Sequence, residues 1–167
     1  TLGNSSSAGI PDGYVKETIT VPLNDFTALQ KAFSEFGTDL AAVIIEPVPA
    51  NNGLLVQDRE FLLNLRELCS NNNSLLIFDE VISGFRLGFE GAAGYYDIKP
   101  DIVTYGKIIG GGFPVGAYGA SSAIMSSISP EGSVYQAGTL SGNPVAMSAG
   151  IAQLSQCLKP GFYEELE

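Results

Sequence analysis

Two residues of this 167-residue chain stand where reactive chemistry would need them, Lys107 and Asp79. Lys107 follows a short apolar run, residues 102–105, and precedes the glycine-rich stretch Gly110-Gly111-Gly112. A lysine at the mouth of an apolar strand is partly withdrawn from water, and desolvation favours the neutral amine that attacks a carbonyl. The plainer alternative is an ordinary surface lysine beside a flexible loop. Asp79 closes a second apolar run, residues 75–78. A carboxylate at the end of a buried strand needs a partner, because carboxylates are almost never fully buried without one. A strand-end Asp that caps the following turn is the common alternative.

The pair has a chemical logic that neither residue has alone. A pyridoxal cofactor is an electron sink only while its ring nitrogen stays protonated, and a buried carboxylate keeps it so. An imine-forming lysine and a ring-nitrogen carboxylate are what such a cofactor asks of a protein. If the strand continues through Asp79-Glu80-Val81, Glu80 points to the opposite face and has no part in holding the ring. Val81 returns to the face of Asp79 and could pack on a ring, although simple core packing explains it equally well.

Other motifs are weaker. Gly110-Gly111-Gly112 lacks the G-x-G-x-x-G spacing of a dinucleotide site, and Gly106-Lys107 is followed by Ile108 rather than the Ser or Thr of a P-loop. The segment Tyr135-Gln136-Ala137-Gly138-Thr139-Leu140-Ser141-Gly142-Asn143-Pro144 leads into a helix start, where backbone N–H groups and the Thr139 and Ser141 hydroxyls could hold a phosphate. A polar loop with a helix cap explains the same residues. With no histidine in the chain, proton chemistry within it falls to Lys, Tyr, Asp or Glu. Cys69 and Cys157 are far apart and form no C-x-x-C pair, so they read as reduced, mostly buried thiols rather than a zinc site or a disulfide.

These residues need elements to position them. Residues 25–36 place Phe26, Leu29, Ala32 and Phe33 at helical spacing, with Asn24 as cap. Asp58 caps a second helix whose apolar face carries Phe61, Leu62, Leu65 and Leu68, closed by Asn71-Asn72-Asn73. Between and after these helices lie apolar runs at 41–45, 75–78 and 102–105, ending at Glu46-Pro47, Asp79-Glu80 and Gly106-Lys107. Strands alternating with helices predict an α/β fold with a parallel sheet buried on both faces. Ligands of such sheets bind outside the carboxyl ends of the strands, which is where Glu46, Asp79 and Lys107 fall. Residues 108–114 read as a loop too glycine-rich for regular structure, and 115–120 as a short strand. Asn143-Pro144 starts a last helix running to about Leu158.

Composition bounds the rest. Hydrophobic residues make up 45% of the chain, enough for a core. The net charge of −10 disfavours phosphate backbones, so nucleic acid is not an expected partner. No apolar run approaches the ~20 residues that cross a bilayer. The chain lacks an initiator Met, opens on a polar, turn-like stretch at residues 1–12 and stops at Glu167 in a region that reads as helical. The expectation is a central piece of a longer protein.

Taken together, Asp79-Glu80-Val81, its separation from Lys107, and Gly106-Lys107-Ile108-Ile109-Gly110-Gly111-Gly112 are similar to the class III pyridoxal-phosphate-dependent aminotransferases. The stretches Gly84-Phe85-Arg86, Phe113-Pro114-Val115-Gly116-Ala117-Tyr118-Gly119 and 135–144 resemble the aminomutase branch of that family in particular. The likeness spans essentially the whole chain. It implies a fold type I large domain, with residues 1–167 forming its C-terminal portion and an N-terminal segment and small C-terminal domain lying outside. It implies pyridoxal 5'-phosphate as cofactor, with a pyridoxamine 5'-phosphate form in the cycle, and a homodimer with sites at the subunit interface. By the same resemblance Lys107 would bind the cofactor covalently and shuttle protons. Asp79 would pair with the pyridine nitrogen and Val81 would pack on the ring. Thr139 would reach the phosphate of the neighbouring subunit's cofactor. Asn51 would lie near the cofactor's phenolic oxygen; ornithine-type relatives have a Glu there, so the amide favours the aminomutase branch. Pro49-Ala50 departs from the Val-Gly usual before that Asn.

The reaction so implied is amino transfer within glutamate 1-semialdehyde, giving 5-aminolevulinate for tetrapyrrole synthesis in the cytoplasm, or in the plastid stroma of a plant or alga. Two alternatives stand beside it. One is a related aminotransferase of ω- or β-amino acids. The other is a catalytically silent α/β binding or structural domain.

Overall fold

The computed structural model describes residues 8–166, so most of the polar opening at 1–12 lies outside the described residues. In chain order the elements are α1 (Asp12–Val15), α2 (Phe26–Phe36), β1 (Ala42–Ile45), α3 (Arg59–Asn71), β2 (Leu75–Glu80), α4 (Gly91–Tyr96), β3 (Ile102–Tyr105), β4 (Ala117–Ala120), α5 (Ser122–Met125) and α6 (Pro144–Cys157). Short 3-10 turns occupy Gly37–Asp39 and Lys107–Gly110.

The four strands form one sheet in the order β1-β2-β3-β4. The first three are parallel, with Val43 opposite Leu76 and Asp79 opposite Thr104; β4 runs antiparallel to β3. The fold is α/β, as expected, but the sheet is mixed and its burial is uneven. Strand β1 leaves Ile44 63% exposed and β2 has only one fully buried face, so the expected burial on both faces is not realised among the described residues. Along β2 the side chains alternate: Leu76, Phe78 and Glu80 are fully buried, while Leu75, Ile77 and Asp79 are half-buried.

The core lies on the buried face of β2. Phe61, Leu62, Leu65 and Cys69 of α3, Leu29 and Phe33 of α2, and Ala92 and Tyr96 of α4 close over Leu76 and Phe78. Each fully buried Leu or Phe contributes about 1.5–3 kcal/mol. Asp101 ties the layers together, because its Oδ2 accepts the Leu76 N–H at 2.7 Å and pairs with Arg66 Nη1 at 2.7 Å. Burial pushes the nearby Cys69 thiol up to about 11.

The helix starts differ in detail from the sequence expectation. Asp25, not Asn24, caps α2, its carboxylate accepting the Ala28 N–H at 2.9 Å. Asn24 takes a left-handed backbone, and its side-chain oxygen accepts the Asp58 N–H instead, joining the two helix starts. Asp58 does occupy the cap position of α3, but its side chain makes no capping bond. At the other end Asn73 is left-handed and stops the helix as expected. The region before Glu167 folds as turns rather than a helix, with Glu165 N–H donating to Gly161 O.

Candidate active site

Asp79 sits at the last turn of pleat in β2, on the half-buried face. Its Oδ1 accepts the Val81 N–H at 3.0 Å and the Thr104 hydroxyl at 3.3 Å. Thr104 is its partner in the sheet register, so the carboxylate is oriented by the next residue and the neighbouring strand together. No hydrogen bond holds the second oxygen, Oδ2, among the described residues. Thr104 was not singled out from sequence. The available signal was a hydroxyl in the otherwise apolar run Ile102-Val103-Thr104-Tyr105 on the strand that precedes the lysine.

Lys107 lies two residues beyond the end of β3. It is exposed, which corrects the expectation of an amine partly withdrawn from water. The reason is structural: the chain turns immediately into the 3-10 segment Lys107–Gly110, so the lysine caps the strand instead of extending it. That segment also corrects the reading of 108–114 as wholly irregular. Lys107 has φ +46, a left-handed conformation that costs a non-glycine residue roughly 1–3 kcal/mol and is concentrated at functional sites. Its Nζ makes no hydrogen bond or ion pair among the described residues. Beneath it, α6 approaches closely: a side chain on Gly150 would collide with the Ile109 carbonyl oxygen, so only glycine lets helix and turn meet.

Val81 joins the two halves of the site, since a β-carbon on Gly106 would meet its Cγ1 at 3.1 Å. Asp79, Val81 and Lys107 are thus brought together at the carboxyl ends of adjacent parallel strands. Asn51 and Thr139 are not hydrogen-bonded to any of the three. Asn51 is exposed in a turn after β1, and Thr139 is exposed in the loop before α6. Glu46 directly follows β1 and is half-buried, with β2 between that strand and the one leading to Lys107. The first amides of α6 are already taken, because Asn143 Oδ1 accepts the N–H groups of Val145 and Ala146 at 3.1 and 3.2 Å. The cap reading of that helix start is therefore the one realised, and an anion would have to use the loop ahead of it.

Glu80 behaves as the opposite-face reading expects. It is fully buried behind the site and bonded to α4. Burial, and then the Glu80 carboxylate, push the Tyr105 hydroxyl above its usual range. A cavity of about 600 Å³ opens beside the lysine turn, lined by Phe85, Tyr105, Ile109, Met147, Ile151 and Leu154 among others. Neither Asp79 nor Lys107 lines it, and its largely apolar walls suit packing rather than ionic chemistry. Cys69 and Cys157 are both buried and unpaired. Among the described residues no helix is long and apolar enough to cross a membrane.

A mixed α/β sheet presenting a lysine and an aspartate at the ends of neighbouring parallel strands defines a class of enzyme-like domain, and comparison with known proteins specifies which. The family model described as aminotransferase class-III matches residues 5–167, and the chain belongs to that family. It is 53% identical over 167 residues to glutamate-1-semialdehyde 2,1-aminomutase from Desulforamulus reducens, covering all of this chain and 39% of that protein. An ω-transaminase from Sphaerobacter thermophilus superposes with a TM-score of 0.87 at 37% identity, over 93% of this chain and 36% of that one. A transaminase with PLP bound superposes with a TM-score of 0.86 at 38% identity, over 92% and 37%. The chain thus spans about two fifths of the length of the curated relative it matches.

Proposed function

We propose that this chain is the C-terminal portion of the cofactor-binding large domain of a pyridoxal-phosphate enzyme that moves an amino group within glutamate 1-semialdehyde to give 5-aminolevulinate. The observation that carries this reading is the pairing of Asp79 and Lys107 at the ends of adjacent parallel strands. The residues fit the cofactor. Asp79 has one oxygen fixed by Val81 N–H and Thr104 and the other without a protein partner, as a carboxylate awaiting a ring N–H would. When bound, pyridoxal phosphate supplies the electron sink for carbon–nitrogen bond exchange.

The protein's own residues then have definite tasks. Asp79 keeps the proton on the ring nitrogen. Lys107 Nζ would hold the cofactor covalently and would serve as the acid and base that moves protons at the substrate carbons. Val81 would pack against the ring, Asn51 would lie near its phenolic oxygen, and Thr139 would hold the phosphate if the whole protein pairs as a homodimer. The identity to the aminomutase relative supports the substrate, and the amide at Asn51 favours the same branch. The likeness to the ω-transaminase supports a second reading, amino transfer between two different molecules.

The test uses the whole protein with pyridoxal phosphate, its visible spectrum before and after borohydride, and a Lys107→Ala variant. Each is then given glutamate 1-semialdehyde with no added amino acceptor. A reducible band that depends on Lys107, with 5-aminolevulinate as product, is the expected result, and Lys107→Ala should lower turnover by roughly 10²–10⁴-fold. A band without that product would favour the transaminase reading. Absence of the band would refute both and leave a binding or structural domain.

A further inference from the structure

Glu80 is the one fully buried carboxylate on β2, and no cation pairs with it among the described residues. Its charge is met by neutral donors. Oε2 accepts the Ala92 N–H at 2.6 Å and the Ser83 hydroxyl at 3.2 Å, while Oε1 accepts the Ala93 N–H at 2.9 Å. These are the second and third amides of α4, the two that a capping side chain normally satisfies. The residue at the cap position, Glu90, makes no such bond. Glu80, twelve residues before Ala92 in sequence, caps the helix in its place. Gly91 is cut to fit: it has φ +63, and a β-carbon there would collide with Glu80 Oε2.

The consequence reaches the opposite face of the strand. Asp79 is oriented by the Val81 N–H, and the direction of that N–H depends on where the chain turns after Glu80. Glu80 fixes that turn twice, with its carbonyl accepting the Gly84 N–H at 2.9 Å and its carboxylate holding Ser83 and α4. We propose that Glu80 is a positioning residue for the cofactor site: by tethering the end of β2 to α4 it sets the aim of Asp79 and the seat of Val81 against Gly106. The proposal rests on the pyridoxal-phosphate reading above.

The experiment compares the whole protein with Glu80→Gln and with Leu29→Ala, a core truncation on α2 away from the strand end. Cofactor affinity, the visible circular dichroism per bound cofactor and the thermal midpoint are measured for each. Glutamine keeps the shape but places an NH₂ against a donor, so one bond to a charged acceptor is lost. Glu80→Gln should weaken cofactor binding roughly ten- to hundredfold and change the dichroism, whereas Leu29→Ala should lower the midpoint and leave both unaltered. A Glu80→Gln protein that loses thermal stability but keeps wild-type affinity and dichroism would overturn the proposal. If that variant does not fold, Ser83→Ala decides: roughly threefold weaker binding with altered dichroism upholds it, and wild-type values overturn it. A wild-type protein with no Lys107-dependent band fails the cofactor reading itself, and the proposal falls with it.

Discussion

Helix α3 gathers Phe61, Leu62, Leu65 and Cys69 onto one stripe and buries all four against β2, whereas α6, one residue longer, leaves Val145, Met147 and Ile151 exposed. The difference lies in what each helix uses to make contact. Helix α3 fills volume with branched and aromatic side chains at helical spacing. Helix α6 buries Ala146, Gly150 and, at its far end, Cys157, all small, so what it brings to the Lys107 turn is close backbone approach rather than apolar mass. One side of the sheet is therefore a finished core and the other is a shaped support. The chemistry-bearing residues sit on the boundary, with Glu80 facing the finished side and Asp79 and Lys107 the open one.

Truncation gives the strongest way to break this contrast. Leu65→Ala should cost about 2–5 kcal/mol, because the cavity it leaves is enclosed on every side. A loss below about 1 kcal/mol in a urea titration would show that α3 is not the anchor. The next effect depends on pH. The Cys69 thiol is raised from 9.0 to about 11 in the folded chain by burial, so its contribution to stability is complete below pH 9 and is lost as pH climbs towards 11. About 2 kcal/mol should disappear over that window, and Cys69→Ala should flatten that part of the stability profile. A profile with the same slope in the variant would place the alkaline loss elsewhere. The smallest effect belongs to α6: Ile151→Ser in the 167-residue chain should change stability by no more than about 0.5 kcal/mol. A loss matching Leu65→Ala would erase the distinction between the two helices.

Much of this arrangement was legible in the residues themselves. The three apolar runs became β1, β2 and β3, and Asn143-Pro144 capped α6 through local bonds that sequence spacing specifies. Asp79 and Lys107 could be placed at strand ends for the same reason. What could not be read depended on partners distant in sequence. Asn24 gave up its capping role because Asp58 N–H lay within reach, 34 residues along the chain. Glu80 could be assigned to the far face by alternation alone, but its tie to α4 required that helix to be in place. The exposure of Lys107 turned on a left-handed backbone that no local pattern announces for lysine. Antiparallel β4 was likewise visible as a strand and not as a direction, since direction is settled by pairing.

The sheet order β1-β2-β3-β4 repeats the order of the strands in the chain. Among the described residues, each strand is thus hydrogen-bonded to the one that precedes it in the chain. The parallel pairs still need crossovers through α3 and α4, and such non-local pairing slows assembly relative to a hairpin. A growing chain can lay down the α3–β2 core first and then the strand carrying Thr104, but the Lys107 turn gains its support only once α6, further along the chain, has been made. The reactive end of the sheet is therefore finished from behind, by the helix that follows it in the chain.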